Sequence, residues 1–183
     1  MSVPVGRPRV VLVGSMGAGK TAVGQILATR WGVGFRDSDH DIEAQQGRSI
    51  SDIFVDDGEQ YFRALEHVAV TEALAAHDGV LALGGGAVLD ERTRTALRGH
   101  RVVFLEVGLS DAVKRVGLGS ARPLLLGNVR ATIKALLDAR LPIYREVAQA
   151  TVRTDGRSAD EVAAEVRRVI ENAETAEADS VEH

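Results

Sequence analysis

The sequence predicts a single α/β domain in which helices cover both faces of a five-stranded parallel sheet. Short apolar runs typical of buried strands alternate with helical patterns along almost the whole chain. This alternation, at these lengths, implies a parallel sheet with helices on both faces. The chain has 183 residues, enough for one domain with a full hydrophobic core. We expect the domain to span residues 1–175 and residues 176–183 to form a disordered tail.

The first strand and the first helix enclose a glycine-rich loop. Residues 9–13 form a short apolar run, and residues 21–31 have a helical pattern that Gly32 ends. The loop between them fits the pattern G-x-x-x-x-G-K-[ST], from Gly14 to Thr21. Its backbone N–H groups and the helix N-terminus would face an anion. An ordinary turn between strand and helix is the alternative, and the strand-loop-helix context favours a phosphate site.

Within this loop, two side chains have defined roles if the ligand is a nucleotide. Lys20 would reach the β- and γ-phosphates, and the hydroxyl of Thr21 would bind Mg²⁺. The sequence therefore predicts a nucleotide and a magnesium ion at the start of the first helix.

The remaining strands and two helix starts follow from local patterns. Four further strands are expected, at residues 34–37, 80–83, 101–106 and 151–153. Asp90 can cap a helix that ends at Gly99, and Ser158 with Glu161 forms a capping box for the last helix. Each strand is thus followed by a helix, as a parallel sheet requires.

Composition excludes several classes of function. The absence of cysteine excludes disulfides and cysteine-ligated metals, and it fits a reducing compartment. A net charge of −4 is unfavourable for nucleic acid binding through bulk electrostatics. No continuous apolar segment is long enough to span a membrane, and the N-terminus has no apolar signal region. We therefore expect a cytoplasmic protein that binds neither nucleic acid nor membrane.

A glycine-flanked segment interrupts the helical pattern of the last third of the chain. Residues 117–128, "GLGSARPLLLGN", contain three glycines and an Arg-Pro pair. In a phosphate-binding domain, such an insertion between helices indicates a mobile lid, expected here over about residues 116–131. The alternative is a surface loop whose leucines pack inward.

Two carboxylates follow the second strand. Asp37 and Asp39 lie at its expected C-terminal end, where ligands gather in open parallel sheets. Taken alone, the pattern is typical of a helix start, because Asp is a favoured N-cap. Beside a phosphate loop, one carboxylate can hold Mg²⁺ through water, and the other can bind an acceptor hydroxyl.

A glycine triplet and two arginines complete the candidate site. Gly84 to Gly86 directly follow a strand, and their N–H groups could contact a ligand; a flexible turn is the alternative. Arg63 lies three residues before Glu66, which alone indicates a solvated ion pair on a helix. Arg140 precedes a proline and could be surface charge.

Six motifs occur together in the order in which they occur in shikimate kinases, and they span residues 10 to about 158. They are GSMGAGKT, D-S-D, F-R-x-x-E, L-A-L-G-G-G-A-V, A-R-P-L-L and R-L-P-I-Y-R. The chain therefore resembles the shikimate kinase family. The resemblance implies a nucleoside-monophosphate-kinase-like P-loop fold with three α/β/α layers and a mobile lid. It also implies transfer of the γ-phosphoryl of Mg·ATP to the 3-hydroxyl of shikimate, giving ADP and shikimate 3-phosphate for chorismate and aromatic amino-acid synthesis.

The resemblance also implies roles for individual residues. Lys20, Asp39 and Arg122 would be catalytic, and Thr21 and Asp37 would hold one Mg²⁺. The expected ATP contacts are Gly17, Ala18, Gly19, Lys20, Thr21, Ala22, Arg115, Arg122 and Arg157. The expected shikimate contacts are Asp39, Phe54, Phe62, Arg63, Gly84, Gly85, Gly86 and Arg140. Arg153 could replace Arg157 near the adenine.

Two other functions stay open at this point. A related small-molecule kinase, such as a gluconate kinase, would keep the phosphate loop and the lid but need no paired arginine forks. A non-catalytic nucleotide-binding module would have no use for Asp39, Arg63, Arg140 and a lid arginine together. We expect a monomeric kinase.

Overall fold

The computed structural model describes residues 6–119 and 128–181, with the backbone alone for residues 116–119. Half of the predicted lid, residues 120–127 including Arg122, lies outside the described residues. Among the helices in the described part of the chain, none has the length and hydropathy needed to cross a bilayer.

The sheet has five parallel strands in the order β2-β3-β1-β4-β5. The strands are β1 (Val10–Val13), β2 (Phe35–Asp37), β3 (Val80–Ala82), β4 (Val102–Glu106) and β5 (Ala150–Arg153). Central strand β1 is buried throughout, with Val11 opposite Leu81 on one side and Val102 on the other. The predicted parallel sheet is confirmed, and each strand lies within one residue of its predicted bounds.

Eight helices connect and cover the strands in the described ranges. They are α1 (Lys20–Trp31), α2 (Ser38–Gln46), α3 (Ile50–Asp57), α4 (Glu59–Ala76), α5 (Glu91–Ala96), α6 (Leu109–Gly119), α7 (Val129–Val147) and α8 (Ala159–Val181). Asp90 caps α5 as predicted, although α5 ends before Gly99. The predicted capping box is present, since Ser158 and Glu161 exchange backbone-to-side-chain bonds of 3.1 and 3.2 Å.

Two hydrophobic clusters fill the space between the sheet and its helices. One packs α1 and α8 against the first face, and the other packs α4, α5 and α7 against the second. A third, smaller cluster joins α2, α3 and α4 through Ile42, Ile53 and Phe62. This cluster fixes α3 and α4 beside the C-terminal ends of β2 and β3, where the candidate site lies.

The predicted tail is wrong for residues 176–181, which are the last turns of α8. Glu174 pairs with Arg9 at 2.9 Å, and Glu177 pairs with Arg101 at 2.6 Å. The arginines precede β1 and β4 and are distant in sequence, so composition alone did not reveal these ion pairs. Alanine and glutamate are also strong helix formers, which favours continuation of the helix.

A glycine on the buried face of α1 provides a test of the packing between α1 and β2. A Cβ at Gly24 would overlap the ring of Phe35 and lie 2.9 Å from its Cδ2. We expect Gly24→Ala to lower the free energy of unfolding by about 1 to 3 kcal/mol, although alanine is the better helix former. Adding Phe35→Leu should recover part of the loss. Chemical denaturation measures both, and higher stability of Gly24→Ala would contradict the close contact.

Candidate active site

The C-terminal ends of the strands open into one cavity of about 570 Å³. Loops after β1, β2 and β3 form its floor, and α3, α4 and α7 form its walls. Twelve residues that the sequence assigns to the site line this cavity: Gly17, Gly19, Lys20, Thr21, Ala22, Phe54, Phe62, Arg63, Gly84, Gly85, Gly86 and Arg140. Asp37 and Asp39 line the same cavity. The fold therefore brings most of the predicted site residues together.

The loop from Gly14 to Gly19 has a backbone that requires glycine. Gly14, Gly17 and Gly19 all have positive φ, and a Cβ at Gly14 would lie 2.7 Å from the carbonyl oxygen of Leu105. Gly19 is the N-cap of α1 and provides no side-chain cap. The positive end of the helix dipole is thus available to an anion at the cavity floor. Ala18, a predicted ATP contact, has its side chain buried in the core.

Lys20 is folded back over this loop. Its Nζ donates to the carbonyl oxygens of Gly14 at 2.6 Å and Ser15 at 2.9 Å. The pKa of Lys20 is lowered to about 8, chiefly by loss of hydration and to a smaller extent by the charge of Arg140, against the opposing effects of Asp39 and Asp37. A bound polyphosphate would favour the charged form of this amine.

The two carboxylates after β2 differ in their surroundings. Asp37 caps α2, because its Oδ1 accepts from the Asp39 N–H at 2.8 Å and the His40 N–H at 3.4 Å. The helix-start interpretation is therefore correct, and it leaves the other oxygen of Asp37 free of this role. Burial raises the pKa of Asp39, as does Asp37, while Lys20 lowers it. Asp39 is thus a carboxylate in a poorly hydrated position beside a cation.

The glycine triplet lies between charged side chains. A Cβ at Gly85 would lie 3.6 Å from Nη1 of Arg140, and one at Gly86 would lie 2.6 Å from Nη1 of Arg63. The N–H of Gly84 donates to the buried hydroxyl of Ser38 at 3.0 Å. The expectation that all three amides face a ligand is therefore wrong for Gly84, whose donor is already used.

Arg63 is not a solvated surface charge. Its Nη1 donates to Glu66 at 2.6 Å, and the Glu66 side chain is only 2% exposed. The guanidinium lies 5.3 Å from the ring centroid of Phe62, which in turn packs against Phe54 at 4.8 Å. Burial raises the pKa of Glu66 from its ordinary value of 4.5 to about 7, against the opposing effect of Arg63. The solvated ion pair is thus excluded because its carboxylate is buried.

Arg140 faces Arg63 across the triplet from a different helix. Among the residues that the structure describes, no carboxylate pairs with its guanidinium, whereas Arg63 has Glu66 and, at 3.5 Å, Glu59. Arg140 therefore presents to the cavity a guanidinium that no described carboxylate neutralises, and such a group suits an anionic ligand.

A second cavity, of about 280 Å³, lies on the other side of the phosphate loop. Arg115 and Arg157 line it, as do Gly19 and Ala22, which both cavities share. Arg115 donates to the carbonyl oxygen of Gly17 at 3.0 Å, and to the hydroxyl of Thr154 at 3.3 Å. Arg157 bonds to the Arg153 carbonyl at 2.9 Å and pairs with Glu165.

The alternative that Arg153 takes the place of Arg157 is not supported. The Arg153 side chain is 72% exposed and lines a different depression, between β4 and α7. Arg157 is the arginine of this loop that faces the second cavity.

Four residues in or beside the site were not assigned a role from sequence. Glu66 and Tyr144 stand in quoted motifs, F-R-x-x-E and R-L-P-I-Y-R, but neither motif shows that the side chain is buried. Ser38 lies between the two aspartates, and Thr154 follows β5. Ser38, Tyr144 and Thr154 contact residues far along the chain, which only the fold brings near. Glu66 pairs with Arg63 three residues away, and only its burial depends on the fold.

The raised pKa of Glu66 predicts a pH dependence with a defined sign. Because the folded-state pKa lies above 4.5, the contribution of this group to stability is present below about pH 4.5 and is lost as the pH rises through 7. The unfolding free energy of the wild type minus that of Glu66→Gln should therefore fall over this range. In ¹³C NMR, one glutamate resonance should titrate near pH 7 and be absent from Glu66→Gln.

Glu59→Gln is the control, because Glu59 contacts the same arginine but is 64% exposed. It should leave the anomalous titration in place. A Glu66 midpoint near 4.5 would contradict the buried environment.

Comparisons with known proteins identify the family to which this arrangement belongs. Residues 16–171 match the shikimate kinase family. A shikimate kinase of Thermobifida fusca is 60% identical over 157 residues, which cover 86% of this chain and 91% of the relative. The structure of a shikimate kinase from Acinetobacter baumannii in complex with shikimate superposes with a TM-score of 0.84 at 37% identity, covering 92% of this chain and 94% of that one.

A more distant structure resembles the chain in fold. A gluconokinase from Sinorhizobium meliloti has a TM-score of 0.53 at 19% identity, with 93% of this chain and 96% of that chain covered, so it shares the fold alone.

The predicted P-loop kinase fold and family are confirmed, and the chain belongs to the shikimate kinase family.

Proposed function

We propose that the chain transfers the γ-phosphoryl group of Mg·ATP to the 3-hydroxyl of shikimate, giving ADP and shikimate 3-phosphate. The observation that carries this proposal is the placement of Arg63 and Arg140 on two sides of the glycine triplet, in the cavity that contains the phosphate loop. Paired guanidinium groups suit a substrate carboxylate, which each can bind through two hydrogen bonds.

ATP would occupy both cavities, with its phosphates in the loop that they share. Lys20 would leave the Gly14 and Ser15 carbonyls and bind the β- and γ-phosphates. The adenine would enter the second cavity, near Arg115 and Arg157. We retain Arg122 as a phosphate contact on the basis of the motif A-R-P-L-L alone.

One Mg²⁺ would be held by the Thr21 hydroxyl and, through water, by Asp37. Both residues line the main cavity, and the described part of the chain contains no cluster of three histidine, aspartate or glutamate side chains that could enclose a metal. Such an open set suits magnesium, which keeps several waters and binds nucleotide phosphates. The ion would neutralise charge on the β- and γ-phosphates during transfer.

Asp39 would orient the acceptor hydroxyl and take its proton. Its raised pKa makes it a stronger base than a hydrated aspartate, and the charge of Lys20 acts in the opposite direction. Arg63 and Arg140 would hold the carboxylate, and the Phe54 and Phe62 rings would exclude water from the ring side of the cavity. Transfer is then direct and in line, with no covalent enzyme intermediate.

The working state and location complete the proposal. One chain provides both cavities, so we propose that a monomer suffices for catalysis. We propose a cytoplasmic enzyme, because the lack of cysteine fits a reducing compartment, and a net charge of −4 is unfavourable for a nucleic acid partner.

An ADP-release assay over a panel of acceptors tests the proposed function. We expect ADP release with shikimate, and none above background with gluconate or with uncharged polyols. ADP release with gluconate but not with shikimate would support the gluconate-kinase alternative. A protein that binds ATP and phosphorylates none of these acceptors would support a nucleotide-binding module.

Conservative substitution of the two arginines tests the carboxylate fork. Arg63→Lys or Arg140→Lys keeps the charge but loses the planar pair of donors. Each lost charge-assisted bond should cost about 1.5 to 3 kcal/mol, or roughly ten- to a hundredfold in kcat/KM for shikimate. KM for ATP should change little. Steady-state kinetics with both substrates varied gives these values, and Asp39→Asn should instead lower mainly kcat.

Arg145→Lys is the matched control for α7, because Arg145 pairs with Glu106 outside the main cavity. It should leave both KM values unchanged. Unaltered shikimate kinetics in both Arg63→Lys and Arg140→Lys would refute the fork.

Removal of the loop lysine tests the phosphate site. Lys20→Ala deletes a charge that would stabilise the transferring phosphoryl group, so we expect kcat to fall by at least about a hundredfold with the fold intact. Lys134→Ala, at an exposed lysine on α7, should keep normal turnover. Near-normal turnover of Lys20→Ala at saturating Mg·ATP would show that the loop is not the phosphate site.

A further inference from the structure

We infer that Tyr144 is a positioning residue that holds Gly85 and Arg140 in register, and thereby sets the spacing of the two arginines that receive the substrate carboxylate. The inference rests on the proposed function, because it assigns to Tyr144 an effect on shikimate binding. Tyr144 lines the depression between β4 and α7 and does not line the main cavity. Its effect must therefore pass through other residues.

The hydroxyl of Tyr144 bonds to the middle of the glycine triplet. It donates to the carbonyl oxygen of Gly85 at 2.5 Å, and the side chain is only 2% exposed. The ring stacks on Phe104 of β4 with a centroid distance of 4.9 Å and an interplanar angle of 21°. The phenol is thus fixed against the central part of the sheet at one end and against the triplet at the other.

Arg140 lies close to both the Tyr144 hydroxyl and the Gly85 backbone. It precedes Tyr144 by about one helical turn on α7, and its charge acts on the buried hydroxyl, lowering a pKa that burial raises. A Cβ at Gly85 would lie 3.6 Å from Nη1 of Arg140. The hydroxyl, the guanidinium and the Gly85 backbone therefore converge at one point.

Helix α7 alone does not fully fix the position of Tyr144 relative to Arg140. Pro142 lies inside α7 between Arg140 and Tyr144. Proline has no N–H, so α7 lacks one backbone hydrogen bond in this turn, and proline also disposes a helix to bend. The bond from Tyr144 to Gly85 supplies a constraint that the helical ladder lacks here.

A shift of Gly85 would also affect Arg63, because Arg63 lies against the next glycine, Gly86. The Arg63 guanidinium packs against Gly86, and Arg140 packs against Gly85. Since adjacent residues of the triplet meet the two arginines, a shift of Gly85 relative to α7 changes the separation of the guanidinium groups. A carboxylate shared between two forks is sensitive to such a change, because hydrogen bonds weaken steeply with poor geometry.

Tyr144→Phe removes the hydroxyl and keeps the ring that stacks on Phe104. We expect KM for shikimate to rise about three- to tenfold, with kcat and KM for ATP within about twofold of the wild type. The chain has two tyrosines, and the other one, Tyr61, is 44% exposed and serves as the matched control. Tyr61→Phe should leave all three constants unchanged.

A double variant distinguishes positioning from a general loss of stability. If Tyr144 acts through Arg140, Arg140→Lys with Tyr144→Phe should raise the shikimate KM little more than Arg140→Lys alone. If the two substitutions raise the shikimate KM by factors that multiply in full, the inference is overturned. It is also overturned if Tyr144→Phe has a lower melting temperature but the wild-type KM for shikimate. A wild type that is inactive with shikimate would instead refute the proposed function.

A measurement without substitution at position 144 covers the case in which Tyr144→Phe does not fold. Both tyrosines can be replaced biosynthetically by 3-fluorotyrosine, and Tyr61→Phe assigns the two ¹⁹F signals. We expect shikimate to shift the Tyr144 signal in the absence of nucleotide and to leave the Tyr61 signal in place. An unshifted Tyr144 signal at saturating shikimate would overturn the inference.

Discussion

The glycine triplet after β3 is in close contact with four charged side chains. Asp39 and Glu66 approach the Cα of Gly84, Arg140 approaches Gly85, and Arg63 approaches Gly86. A Cβ on Gly84 or Gly86 would displace at least one charged group, and a Cβ on Gly85 would lie only 3.3 Å from the backbone nitrogen of Met16. The absence of Cβ atoms therefore sets how closely the site can assemble. The buried Ser38 hydroxyl and the Tyr144 hydroxyl then anchor the triplet at its first two residues. The proposed positions of catalytic base and carboxylate fork depend on this packing.

Burial around the triplet shifts the pKa values of two ionisable groups towards physiological pH. The pKa of Lys20 is lowered to about 8 and that of Glu66 is raised to about 7, in both cases chiefly by loss of hydration. Both groups are ones whose charge a ligand can change: phosphates would stabilise the lysine cation, and a carboxylate at Arg63 would compete with Glu66. The charged groups of the site are thus suited to two anions, one on each side of the acceptor hydroxyl.

Much of this architecture could be predicted from the sequence, because it follows from local patterns. Apolar runs located the five strands, and the pattern from Gly14 to Thr21 located the loop with Lys20 at the start of α1. The burial of Glu66 could not be predicted, since an i, i+3 pair with Arg63 looks the same on a solvated helix. The use of the Gly84 amide by Ser38 and the pairing of Glu177 with Arg101 join residues far apart in sequence, and only the sheet order brings them together.

A crystal structure with shikimate, ADP and Mg²⁺ bound tests the central claim most directly. The geometry predicts the shikimate carboxylate between the Arg63 and Arg140 guanidinium groups, with nitrogen to oxygen distances of about 2.7 to 3.2 Å, and the 3-hydroxyl at hydrogen-bond distance from Asp39. The Gly85 carbonyl should stay bonded to Tyr144. A carboxylate bound away from both arginines, or a 3-hydroxyl out of reach of Asp39, would contradict the account.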